Sequence, residues 1–179
     1  KLIEEAAASS RLKHDSKDYI NIQRIRGILY VASKNTAKAA SSYRALLSAL
    51  EQPENFGLDF REHQALMNDH STGYETIGKV MLSVGRNDDA ITAFQALARV
   101  RNDMPGDHHY WLALAQYRKD DLQPAEKNLN RYFETNRRRV ESLRLVSDLF
   151  NATSRGDMVP DRLAELAEGT NDANSVNLF

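Results

Sequence analysis

YETIGKVMLSVGRNDDAITAFQALARVRNDMP, residues 74–105, reads as two helices folded back on each other. Apolar positions recur at helical spacing on both sides of a short break, Gly85-Arg86-Asn87. Glycine can adopt the left-handed conformation that closes a helix, Asn87 can cap the next one, and Asp88 and Asp89 are favourable at its positive end. Within the stretch, Gly78 is followed by Ala90 twelve residues on and by Phe94 sixteen on. The same ruler fits Gly27, Ala39 and Tyr43 before it, and Ala113, Ala125 and Leu129 after it. A small residue, an alanine and a ring or leucine at fixed offsets is the spacing of helix pairs joined by tight turns, so the chain reads as a repeat array.

Working outward, helices are expected over 2–13, 17–33, 36–50, 72–84, 88–101, 108–119, 122–135, 138–152 and 159–168. On the second of these, Ile22, Ile25, Leu29 and Ala32 follow a helical period and are expected to face the core. Asp15 or Ser16 can cap it, and Asn35-Thr36 separates it from the next. Pro53 and Gly57 break the pattern after residue 50, and FREHQALM (60–67) offers two helical turns. Residues 51–70 are therefore an insertion, which lengthens one repeat from about 34 residues to 51. The best repeats cover 17–50, 72–105 and 107–137, and 138–168 is a degenerate hairpin. Together they make one array over 1–168, followed by a polar linker or the start of a further repeat at 169–179.

Composition agrees with an all-α chain, since eight glycines and four prolines are scattered among long runs of helix formers. With 24 basic and 25 acidic side chains there is no whole-chain field that demands nucleic acid. The absence of cysteine excludes disulfides, thiolate metal sites and cysteine nucleophiles. No apolar run is long enough to span a bilayer, and KLIEEAAASS lacks the apolar stretch of a signal peptide. The chain begins at Lys1 and closes on SVNLF, which reads as a soluble segment cut from a longer protein, with the cytoplasm favoured over the periplasm.

Tyr74, Ile77, Gly78, Met81, Ala90, Phe94 and Pro105 occupy the places of a tetratricopeptide pattern, which the unit 74–105 resembles. Gly27, Tyr30, Ala39 and Tyr43 mark a second unit, although Gln23 and Arg26 depart from it. Leu112, Ala113, Ala125 and Leu129 mark a third, with His109 and Gln116 in the aromatic places. The resemblance implies four to five antiparallel helix pairs stacked in a right-handed superhelix. It also implies that Gly78 and Ala113 meet Ala90 and Ala125, while Tyr43 and Phe94 fill the space toward the neighbouring pair.

The resemblance further implies a concave groove, lined by the first helix of each pair, that grips a peptide or a partner protein. The matching positions are Asn21, Arg24, Ile28 and Val31, then Glu75, Thr76, Lys79 and Leu82, then Tyr110, Trp111, Leu114, Tyr117 and Arg118. The third set holds the residue types enriched at binding hot spots, and Trp111 is equally readable as groove or core. A clamp for a chaperone carboxyl terminus is not expected, because only Arg24 suits its chemistry and Asp107 would repel the ligand.

Asp107-His108-His109 raises the question of a metal, but neighbours on a helix point about 100° apart and do not share an ion easily. Arg137, Arg138 and Arg139, with Arg131 and Arg144, form the one dense basic cluster. Glu134, Glu141 and Asp148 lie within helical reach, so the cluster reads as a solvated, partly paired helix junction. No nucleophile stands at a usable distance from a base, and no cofactor motif is present. The expectation is a non-catalytic scaffold or adaptor without cofactor or metal, with a structural spacer or assembly segment, contacting through its convex face or ends, as the alternative.

Overall fold

The computed structural model describes residues 2–7, 12–67 and 69–168, which form ten α-helices and no strand. In chain order these are α1 (Leu2–Ala7), α2 (Lys17–Ala32), α3 (Thr36–Glu51), α4 (Phe60–Ala65), α5 (His70–Ser83), α6 (Asn87–Val100), α7 (Asp107–Arg118), α8 (Leu122–Phe133), α9 (Val140–Ala152) and α10 (Val159–Glu168). The helix expected over 2–13 is shorter, since Leu12 and Lys13 are not helical. The polar stretch 169–179 lies outside the described residues. The chain divides into two compact units, residues 1–100 and 101–179.

Local chemistry sets several helix starts. Ser16 accepts from the Tyr19 amide, Asn35 from Lys38 and Asp69 from Ser71, each satisfying a first-turn donor that would otherwise lack a partner. The turns inside the helix pairs share one geometry. A left-handed residue stands at Lys34, Gly85, Asp120 and Ser154, and the following amide donates back five residues, to the carbonyls of Tyr30, Met81, Gln116 and Phe150. This is the wide backbone hydrogen bond that closes a helix end. The four turns are 51, 35 and 34 residues apart, so the pair α9–α10, degenerate in sequence, ends its first helix as the others do.

In the first unit, α2 pairs with α3 and α5 with α6, and α3 packs on α5. Both pairs seat a ring over a glycine. A Cβ added to Gly78 would stand 2.6 Å from Cε1 of Phe94, and one added to Gly27 would stand 2.2 Å from Cε1 of Tyr43. The rings therefore occupy space left within their own helix pair, and the atoms nearest Gly78 belong to Phe94, not to Ala90. Ala39, Ala90 and Phe94 are all fully buried.

The core-facing stripe expected on α2 is corrected. Ile20, Gln23 and Gly27 face inward, whereas Ile25 and Leu29 are 41% and 51% exposed. The glycine decides this orientation, because only the Gly27 side of α2 can accept the Tyr43 ring.

Polar ties join the two pairs of this unit. Glu51, at the end of α3, accepts from Tyr74 on α5 (3.3 Å) and from Arg99 on α6 (2.8 Å). Burial, reinforced by the Glu51 carboxylate, pushes the Tyr74 phenol up to about 12. An unfolded tyrosine titrates near 10, so the neutral phenol favours the fold fully below about pH 10, and that stability is lost as pH rises toward about 12. We expect phenolate absorbance to show a late-titrating tyrosine that is missing in Tyr74→Phe, and this variant to lose less stability over the same alkaline window.

The second unit packs α7 against α8, α8 against α9 and α9 against α10. Ala113, Ala125 and Leu129 meet in its core together with Tyr132, Leu145, Leu149 and Leu166. The basic cluster braces this unit. Arg137 and Arg139 both donate to Asp107 at the start of α7 (2.9 and 2.5 Å). Arg138 donates to the carbonyls of Phe133 and Leu166 and lies over the Phe133 ring. Asp107, expected from sequence to repel a carboxylate ligand, is thus itself held between two guanidinium groups.

Candidate functional site

The insertion folds back onto the first unit. Asp59 and Glu62 form a reciprocal capping box at the start of α4, Glu62 also pairs with Lys17 (2.9 Å), and His63 hydrogen-bonds the Leu50 carbonyl (2.9 Å). These anchors place Leu66 and Met67, both buried, beside α2, α3 and α5. The Met67 thioether fills the notch above Gly73, where a Cβ would overlap its sulfur.

Between these elements lies a cleft of about 410 Å³. Arg24, Ile28 and Val31 form one wall, one stripe of α2 at i, i+4 and i+7. Thr72, Thr76 and Ile77 of α5 form another, and Tyr43 and Leu46 of α3 close the base. Leu66, Met67 and Asp69 complete the insertion side. The lining is mostly apolar, and Ile28 and Val31 remain 51% and 37% exposed, so part of its apolar surface is open to solvent. Burial pushes the Tyr43 phenol above its ordinary range.

Two charged groups stand in this lining. Both oxygens of Asp69 accept hydrogen bonds at the start of α5, from the Ser71 amide (2.9 Å) and the Thr72 hydroxyl (2.5 Å). Arg24 has no ion-pair or side-chain hydrogen-bond partner among the described residues, and its Nε is buried and unsatisfied.

Of the groove positions expected from sequence, the cleft brings together Arg24, Ile28, Val31 and Thr76. Asn21 is exposed on α2 but does not line it. Glu75 and Lys79 pair with each other along α5 (2.6 Å). Leu82 is only 4% exposed and belongs to the core, which corrects its assignment to a groove.

The second-unit set is likewise drawn inward. Tyr110 is buried and packs near Tyr132 at 5.7 Å, again a correction. Trp111 lies edge-on to Tyr110 at 4.8 Å, and Trp111, Leu114 and Tyr117 are half-buried against the core of that unit. Arg118 is exposed at the end of α7. Sequence reasoning missed Leu66, Met67, Thr72 and Gly73. The available signal was the apolar pair Leu66-Met67 in a polar insertion, which requires a surface to cover it.

His108 and His109 are buried, with ring centroids 4.2 Å apart, and His109 Nδ1 lies 3.2 Å from Asn128 Oδ1. Among the described residues no group of three His, Cys, Asp or Glu side chains is arranged to hold a metal, and no helix is long and apolar enough to cross a membrane. Compared with protein-family models, with curated proteins and with solved structures, the chain finds no match.

Proposed function

We propose that this chain is a non-catalytic protein-interaction module, a tetratricopeptide-like array of helix pairs in a right-handed superhelix, that takes a peptide segment of a partner in the cleft of its first unit. The observation that carries this reading is the cleft itself, with about 410 Å³ walled by α2, α3, α5 and the folded-back insertion. That volume lies within the range of ~300–1,000 Å³ typical of sites that enclose a ligand. The recurrent turn at Lys34, Gly85, Asp120 and Ser154 supports the array.

The test is selection of random linear peptides displayed on phage against the whole chain, with the affinity of a selected peptide then measured by fluorescence anisotropy. Ile28 is half exposed, so Ile28→Lys should leave stability within about 0.5 kcal/mol. It should weaken the selected peptide at least about tenfold, because a charge would stand where an apolar side chain seats. Peptides that bind the variant equally well, or a chain that selects none, would remove the cleft as the binding site.

A second reading, an assembly segment that makes its contacts outside the cleft, draws on the other exposed stripe of α2, where Ile25 and Leu29 face solvent. Sedimentation analysis separates the two. Self-association that survives Ile28→Lys but is abolished by Ile25→Asp with Leu29→Asp would favour assembly.

A further inference from the structure

We infer that the cleft recognises an apolar side chain with a carboxylate beside it, an Asp or Glu within about one turn of a Leu, Ile, Met or Phe anchor in the partner segment. This rests on the cleft being the peptide site. It adds the chemistry of the occupant, which is set by the two charged groups in the lining.

Asp69 is already satisfied. Its oxygens cap α5 through the Ser71 amide and the Thr72 hydroxyl, and it stands at the positive end of that helix, which offsets its charge. Arg24 is the opposite case. Most other half-buried arginines in the described residues have found acceptors: Arg26 meets Glu4, Arg155 meets Glu126, Arg162 meets Glu165 and Arg138 meets two backbone carbonyls. Arg26 shares the orphaned Nε, but its guanidinium pairs with Glu4, whereas Arg24 has no such pair and stands in the wall of an apolar cleft.

A guanidinium in an apolar wall with no acceptor beside it gains a charge-assisted hydrogen bond when one arrives. A carboxylate is the acceptor that fits a guanidinium best, since it can take two parallel N–H bonds. Ile28 and Val31 continue the Arg24 stripe along α2, so an apolar anchor seated between them and Leu66 leaves its acidic neighbour at the Arg24 end. A basic segment would leave the Arg24 guanidinium without an acceptor and set like charges together.

The experiment is the same phage selection of random linear peptides, run in parallel on the unaltered chain, Arg24→Gln, Arg24→Glu and Ile28→Lys, with circular dichroism to establish that each is folded. The unaltered chain should enrich peptides with an acidic residue close to an apolar anchor, and Arg24→Glu should switch the enriched charge to Lys or Arg. A synthetic peptide of the enriched sequence should lose about tenfold in affinity on Arg24→Gln and weaken with added salt. Peptides that are sensitive to Ile28→Lys but carry no acidic preference would overturn this inference while leaving the cleft as the binding site. Selection of no peptide sensitive to Ile28→Lys would overturn both.

Discussion

Replacing Gly78 by valine should cost about 3 kcal/mol of stability, a loss typical of forcing extra atoms into a closed core. The ring that would be struck, Phe94, is fully buried, and a Cβ at this position already lies 2.6, 2.7 and 2.9 Å from three of its atoms. Neither the ring nor α5 can retreat without opening the pair. Gly78→Ala isolates the effect. Helix propensity alone would make it stabilising by about 1 kcal/mol, so a net loss measures the clash against that gain. Gly73→Ala is the control, since the atoms it meets are the end of the Met67 side chain, which is unbranched and can rotate away. Urea unfolding followed by circular dichroism should therefore rank Gly73→Ala near the unaltered chain, Gly78→Ala below it and Gly78→Val lowest. Adding Phe94→Leu should recover part of the loss only for the Gly78 variants, because the two sites share one volume.

Arg138→Glu should destabilise the second unit by about 3 kcal/mol, the scale of charge-assisted hydrogen bonds to buried acceptors. Arg138 satisfies the carbonyls of Phe133 and Leu166, so one guanidinium serves the ends of α8 and α10 and covers the Phe133 ring as well. Reversal would set a carboxylate against two carbonyl oxygens, whereas Arg138→Lys should retain the charge and lose the fork that reaches both. Thermal unfolding monitored by Trp111 fluorescence reads this unit, because Trp111 packs against its core. Arg137 and Arg139 are committed to Asp107 in the same way. Charge reversal across 137–139 therefore reports first on folding, and a loss of partner binding in such a variant would not locate an interface.

The helices were legible in the sequence because their signals are local. Ser16, Asn35, Asp59 and Asp69 each cap within three residues, and Gly85 ends α5 through its own left-handed backbone. The offset of sixteen from Gly27 to Tyr43 and from Gly78 to Phe94 was legible too, but not that each ring seats over its own glycine, since the rings were expected to face the neighbouring pair. The site was legible only in part. Arg24, Ile28, Val31 and Thr76 followed from the positions that the resemblance to a tetratricopeptide pattern assigns to a groove, but the wall built by Leu66 and Met67 did not, because nothing in their neighbourhood says where the insertion folds back.

The sequence by itself determined an all-helical chain of antiparallel pairs and their turns. Only the tertiary structure decided which apolar side of α2 is buried, that Leu82 and Tyr110 belong to cores, and that an insertion closes a cleft around Arg24. The reason is one of range. Caps and helical periods are settled within a turn or two of chain, whereas α2 carries apolar residues on more than one side, and the choice among them falls to the side where Gly27 leaves room for the Tyr43 ring. The pairing of Asp107 with Arg137 and Arg139 likewise joins residues 30 and 32 apart, beyond the reach of any helical spacing rule.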